Sequence, residues 1–378
     1  MRRCVITMLF FPLFGLLTPT LAQDRVKPKA AKGGKAFGEP WAEVPDFYKN
    51  IRLREWPLPT ELKAWQKDRL EVRKTLLKCL GDLPERPDPR KVVSLVKEEK
   101  DGYTLERFDF FNGVDQTVAG ILLIPKGLKK RAPTIILAHG HGGSKEILCI
   151  DEKNPQCAGP VLAREGYVVA AIDSYFCGSR RGDGPAGKVD AKPPSEEFSL
   201  FKYHLLMGRS LWGMMVRDQQ CLLDYLETRP EVDAKRIGVS GMSMGCTTSW
   251  WLAALDERIA SVVGVACFTR YTELLAHGNL RAHGIYYFVP GVFAQFDTEG
   301  IHALIAPRPH LELSGDQDAG APLDGVITLE KKLAQVYRLY GKGSNFRSIV
   351  YEKTGHEYLP EMREEMARWF AKTLPLKQ

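Results

Sequence analysis

From residue 134 onward the chain alternates short, largely apolar runs with longer stretches of helical spacing. The runs are TIILA at 134–138, YVVAAI at 167–172, RIGVS at 236–240, ASVVGVA at 260–266, HLEL at 310–313 and FRSIVY at 346–351. A run without polar alternation is what a strand covered on both faces requires. Helical patterns fill the gaps at 159–165, 200–229, 244–255, 326–340 and 360–373. Strands alternating with helices predict an α/β fold, with a mainly parallel central sheet, helices on both faces, and functional loops at the carboxyl ends of strands. Upstream, 92–97, 105–111 and 118–124 are β-branched or aromatic stretches punctuated by Asn112-Gly113 and Pro125. Further upstream, Leu62, Trp65, Leu70, Leu76, Leu77 and Leu80 recur at roughly helical spacing over 61–80, with Thr60 as the expected cap and Gly81 as the stop. This makes 41–90 an N-terminal helical extension and 91–378 the main domain.

The first 22 residues, MRRCVITMLFFPLFGLLTPTLA, follow a different rule. Two arginines precede an apolar run over 5–17, and small residues follow at Thr20 and Ala22. That layout predicts a signal peptide over 1–22, cleaved after Ala22, and a secreted or periplasmic protein with no membrane attachment in its mature form. The run is broken by Pro12 and Gly15 and falls short of the ~20 apolar residues a spanning helix needs. Residues 23–40, rich in Lys, Gly, Ala and Pro, predict a flexible linker.

Composition narrows the class. With 44% apolar and 26% charged residues over 378 positions, the chain is neither disordered, collagen-like nor a small disulfide scaffold. Its 53 Lys+Arg against 46 Asp+Glu give +7 without any dense basic stripe, so no nucleic-acid partner is expected. The seven cysteines beyond the leader are scattered. Cys149 and Cys157 share one loop and either pair or remain buried thiols. Neither CxxC nor HExxH occurs, and no metal site is expected.

The candidate chemistry centres on Gly241-Met242-Ser243-Met244-Gly245, placed between the run RIGVS and a helical pattern. A serine nucleophile has to project from a tight strand-to-helix turn, and flanking glycines keep side chains out of it. The hydroxyl needs a base. His356 follows the last strand in the loop Thr354-Gly355-His356-Glu357. The base needs an acid to hold its tautomer and stabilise its cation. Asp316 and Asp318 both follow the preceding strand, and Asp318 is preferred because it lies deeper in the loop. For the oxyanion, the expected backbone donors are Met244, after the nucleophile, and His141, in the glycine-rich His139-Gly140-His141-Gly142-Gly143 after TIILA. That loop does not meet G-x-G-x-x-G, because Lys145 stands where the third glycine belongs.

HGHGG at 139–143, GMSMG at 241–245, GDQD followed by Pro322, GHE at 355–357 and the stretch at 208–229 give the chain a resemblance to the α/β-hydrolase superfamily over roughly 92–373. Within it the chain resembles the secreted acetyl xylan esterase and dienelactone hydrolase-like branch. The resemblance implies an α/β-hydrolase fold and a Ser-His-Asp esterase without a cofactor. Two positions depart from the acetyl xylan esterase pattern: Met244 stands where glutamine is common, and Arg-Gly-Gln-Gly is only echoed at 181–184. Glucuronoyl esterases share RIGVxG but carry cysteine and arginine where this chain has Met242 and Met244.

The insertion 268–300 is read as a candidate lid offering aromatic faces, Tyr286 among them, and Arg181 as a candidate contact for an acidic sugar. The function expected is an exported serine carboxylic-ester hydrolase that deacetylates polysaccharides or sugars through an acyl-enzyme. The rivals are a glucuronoyl-type esterase, a serine peptidase and a catalytically dead carbohydrate-binding fold. A peptidase of the prolyl-oligopeptidase type needs a propeller, and the roughly 110 residues between the leader and TIILA are too few for blades of ~40–45 residues each.

Overall fold

The computed structural model describes residues 24–29, 38–49, 56–182, 184–192 and 194–376. The segment read as a signal peptide lies outside these residues. The strands are β1 (Asp24–Val26), β2 (Val93–Glu99), β3 (Tyr103–Phe111), β4 (Thr117–Pro125), β5 (Ala132–Ala138), β6 (Val168–Ile172), β7 (Val232–Met242), β8 (Ile259–Val265), β9 (His310–Gly315) and β10 (Phe346–Tyr351). They form one sheet in the order β1-β10-β9-β8-β7-β5-β6-β4-β3-β2. From β1 across to β6 each neighbouring pair is parallel, and β4, β3 and β2 close the far side antiparallel. Strands β5, β6 and β9 are buried at every position; β5 and β6 accordingly read as unbroken apolar runs, whereas in β9 His310, Glu312 and Ser314 are buried polar residues alternating with apolar ones.

The helices are α1 (Asp46–Lys49), α2 (Leu62–Leu80), α3 (Lys145–Cys149), α4 (Gly159–Glu165), α5 (Ser195–Leu206), α6 (Leu211–Thr228), α7 (Met244–Leu255), α8 (Tyr271–Ala276), α9 (Thr298–Ala303), α10 (Leu323–Leu339) and α11 (Pro360–Thr373). One face of the sheet is covered through Trp65 of α2, Trp212 of α6, Trp250 of α7 and Val336 of α10. The other is covered through Leu162 of α4 and Met362, Trp369 and Phe370 of α11. Helix α2 belongs to the main core: Trp65, Leu76 and Leu80 are fully buried, whereas Leu70 and Leu77 face solvent. Arg69 and Arg73 tie it to the carbonyls of Leu304 and Leu255 at 3.0 and 2.6 Å.

Three expectations are corrected, and one open alternative is decided. Residues 23–40 are not wholly a linker, because Asp24–Val26 pairs with Ile349, Val350 and Tyr351 of β10. The helical pattern over 200–229 is two helices. Gly208 adopts φ 74°, Ser210 accepts the Gly213 N–H as the cap of α6, and the end of α2 docks into the break through Ser210 N–H to Leu80 O at 2.8 Å. Helix α2 starts after Glu61 rather than Thr60, with no side-chain cap. Of the two readings left open for Cys149 and Cys157, the second holds: both are free buried thiols.

Candidate active site

Ser243 sits alone between β7 and α7 at φ 60°, ψ −119°, a conformation costly for a residue with a Cβ. The surrounding backbone compels it. A Cβ at Gly241 or at Gly245 would collide with the Ala138 carbonyl oxygen at the end of β5. The turn is pinned by Ser243 N–H to Val265 O at 2.9 Å and by Thr247 N–H to Ser243 O at 3.0 Å. The hydroxyl therefore stands clear at the carboxyl edge of the sheet.

His356 and Asp318 arrive there from two loops that are fastened together. Gln317 N–H donates to Thr354 O at 2.8 Å, Asp316 accepts the Thr354 N–H at 3.1 Å, and Gly315 leaves no room for a side chain beneath Thr354 and Gly355. Asp316 is thus committed to the backbone. Asp318 is fully buried and lies 2.9 and 3.0 Å from His356 Nδ1. The opposite ring nitrogen, Nε2, is 2.9 Å from Ser243 Oγ. Asp318 Oδ1 also accepts the Gly320 N–H at 2.8 Å. Burial opposes the His356 cation, but the hydrogen bond and charge of Asp318 outweigh it and raise the imidazole above its ordinary pKa.

The insertion 268–300 grips the acid loop with two side chains and the start of α10 with a third. His283 Nε2–H donates to Gly320 O at 2.8 Å, Asn279 donates to Ala319 O, and His277 meets Asp324 at 2.9 Å. Burial holds His283 below its ordinary pKa, as a neutral donor requires.

On the other side, the predicted oxyanion loop passes close to the serine: a Cβ on Gly140 would lie 3.7 Å from that of Ser243. Gly143 N–H closes the turn onto Gly140 O at 2.9 Å. Met244 opens α7, so its N–H has no carbonyl one turn back within the helix. Two residues that sequence reasoning missed brace this side of the site, Glu197 the 139–143 loop and Glu196 the neighbouring loop at Gly182. Glu197 accepts from His141 Nε2 at 2.9 Å and from Tyr286 N–H at 3.3 Å. Glu196 accepts the Gly182 N–H at 2.9 Å. The available signal is a pair of carboxylates in the first turn of a helix, where the dipole favours them; the apolar spacing alone starts that helix only at 200.

Arg181 donates to Gly142 O at 2.9 Å, so it steadies the loop. Tyr286 is buried with its ring stacked on His141, centroids 5.3 Å apart. The pocket beside the loop, about 120 Å³, is lined by His141, Phe176, Arg181, Glu196 and Glu197 among others. A larger cavity of about 640 Å³ lies between Tyr48 and the insertion residues Tyr271, Leu280, Phe288 and Phe293. None of Ser243, His356 and Asp318 lines it. Residues able to hold a metal lie apart from the triad, in the core, at His302, His310 and Glu312.

The model of the Abhydrolase family matches residues 49–375. YtaP of Bacillus subtilis (strain 168), provisionally named a hydrolase, is 36% identical over 313 residues, which span 81% of this chain and 100% of that one. Among solved structures, BF1801 from Bacteroides fragilis NCTC 9343, provisionally titled an acetyl xylan esterase, superposes with a TM-score of 0.64 at 21% identity, covering 81% of this chain and 80% of its own. A glucuronoyl esterase from Solibacter usitatus gives 0.63 at 20% identity, covering 86% of this chain and 100% of its own. At these identities the structures establish a shared fold.

Proposed function

The chain belongs to the Abhydrolase family, and on that premise we propose that it is a serine hydrolase of carboxylic esters borne on sugars or polysaccharides. The observation that carries this reading is the continuous path Ser243 Oγ, His356 Nε2, His356 Nδ1, Asp318, with every link at 2.9–3.0 Å. His356 takes the proton as Ser243 attacks the ester carbonyl, and Asp318 stabilises the resulting imidazolium. The N–H groups of Met244 and His141 receive the developing oxyanion. His356 then returns its proton to the departing alcohol, and water repeats the cycle on the acyl-enzyme.

A sugar-borne ester is favoured by the pocket wall, which sets the ring of Phe176 beside the carboxylates of Glu196 and Glu197, and by the esterase names of the structural neighbours. An acetyl ester is the first choice. A uronate ester is the second, favoured by the exposed guanidinium of Arg181 in that wall. Turnover of acetylated sugars, uronate methyl esters and simple short acyl esters, run side by side, separates them. Activity on none of these, in protein whose Ser243 a fluorophosphonate probe labels, would count against the substrate class. Absence of labelling would count against the mechanism itself. Export through residues 1–22 belongs to the same reading and is tested by N-terminal sequencing of the mature protein, with Gln23 expected first.

A further inference from the structure

The turn that follows β6, 173–181, carries buried polar groups that the proposed reaction does not use, and two of its residues reach across to the segment 139–145. Asp173 is fully buried. It accepts the Lys145 N–H at 2.8 Å and the Lys145 ammonium at 2.6 Å. From its own turn it accepts the N–H and hydroxyl of Ser179 at 2.9 and 2.8 Å. Gly178, at φ 55°, makes room for this, because a Cβ there would collide with the Asp173 carboxylate. Burial opposes the charge of Asp173, but Lys145 and these hydrogen bonds outweigh it and hold the carboxyl below its ordinary pKa. Arg180, also buried, donates to Asp173 O at 3.1 Å and to Asp218 at 2.8 Å. A second contact joins the same two segments. Ser174 N–H, which can only donate, lies 3.0 Å from Nε2 of the buried His139. Burial holds His139 below its ordinary pKa, so the ring is neutral. With Nε2 accepting, its one proton sits on Nδ1.

That Nδ1–H donates to Gly140 O at 2.8 Å, and the Gly143 N–H reaches the same oxygen at 2.9 Å. In a trans peptide the C=O of one residue and the N–H of the next point in opposite directions. Holding Gly140 O with two donors therefore turns the His141 N–H outward from its own loop. That N–H has no acceptor among the described residues, and Gly140 is where the loop passes Ser243. We propose that His139 is a positioning residue for the oxyanion hole: held by the turn at Asp173 and Ser174, it orients the Gly140–His141 peptide so that the His141 N–H faces the ester oxygen. The inference rests on the reading of Ser243 as the nucleophile. Both ring nitrogens of His139 are engaged by backbone, so the residue acts only through that peptide. The benefit is preorganisation, because a donor already aimed when charge develops need not reorient during the reaction. Phe176 and Arg181 of the same turn line the pocket beside the loop, so the pocket wall and the oxyanion donor are fastened together.

Two substitutions in the full chain separate the two bonds of His139. His139→Asn places an amide N–H near the position of Nδ1 and keeps the bond to Gly140 O. His139→Gln reaches further, keeps an acceptor for the Ser174 N–H and leaves Gly140 O with Gly143 alone. On p-nitrophenyl acetate, His139→Gln is expected to lose ~10²-fold in kcat with KM within about 3-fold, the order of effect of a lost oxyanion donor. His139→Asn is expected to stay within about 10-fold of wild type. Affinity for phenylboronic acid, which forms a tetrahedral adduct on Ser243, should fall in step with kcat/KM. Equal kcat in the two variants, whether high or low, would overturn the proposal, because a merely structural role would not tell them apart. So would boronic-acid affinity that does not follow kcat/KM. A nitrogen-15 spectrum of histidine-labelled wild type needs no variant. Besides His356, it is expected to show a neutral imidazole protonated at Nδ1 across the range in which free imidazole titrates, about pH 5–8, and its absence would also overturn the proposal. Wild-type protein that turns over no ester and takes no fluorophosphonate would defeat the hydrolase reading and this inference with it. An active, labelled wild type beside an equally active His139→Gln would defeat this inference alone.

Discussion

The two sides of the candidate active site are held in place by different means. The serine side is fixed by backbone: β7 and α7 meet at a turn where Ala138 O excludes any side chain at 241 and 245. The acid side is fixed by side chains from elsewhere in the chain, with His283 and Asn279 of the insertion holding the loop that presents Asp318 and His277 holding the start of α10 behind it. Placement by packed backbone is close to all-or-none, because interiors do not deform smoothly. Placement by a set of separate hydrogen bonds can be weakened one bond at a time, each worth about 1 kcal/mol. The serine side should therefore fail abruptly and the acid side by degrees.

The largest effect expected is from Ser243→Ala, which should lower p-nitrophenyl acetate turnover by at least ~10⁴-fold with an unchanged circular dichroism spectrum. Asp318→Asn should cost ~10³–10⁴-fold in kcat, whereas Asp316→Asn, which alters only a bond to Thr354, should cost less than about 3-fold. Gly245→Ala sharpens the contrast. It should destabilise the fold by about 3 kcal/mol in denaturant titration, since the Ala138 carbonyl must move to admit the methyl. His283→Ala, on the gradual side, should lower kcat about 10-fold with a Tm loss of only a few degrees. A collapse as complete as that of Ser243→Ala would erase the distinction.

The pH profile is the subtlest comparison. His356 has to be neutral to act as base, and Asp318 raises its pKa. The acid limb of kcat/KM should therefore lie above pH 6.5, with activity lost as pH falls through it. The residual activity of Asp318→Asn should show that limb moved downward. A limb that stays in place would mean another group sets it.

The same division explains what the sequence disclosed. The strands from β5 onward and the glycine-flanked serine are local patterns, dictated by burial on both faces and by a turn that admits only glycine. His356 was placed by its strand, and Asp318 by depth in a loop, with Asp316 left as a near rival that only the bond to Thr354 removes. Contacts between distant segments had no local trace. Glu197 lies 56 positions from His141, and the grip of His283 on Gly320 spans 37. The break at Gly208 was hidden because apolar spacing continues across it, and the reason for the break is the end of α2, some 130 residues away. A three-residue edge strand such as β1 is too short to show any period.

That edge has a consequence for life at high concentration. An open sheet has two rims where unpaired peptide groups can recruit a neighbour and seed fibrils. Here one rim is β1, only three residues long and carrying Asp24 beside Arg347. The other is β2, solvent-facing along nearly its whole length, broken in register between Ser94 and Val96, and studded with Lys97, Glu98 and Glu99. Brevity guards the first rim, and charge with a kink guards the second, so the ten-stranded sheet of the described residues offers its neighbours little to polymerise upon.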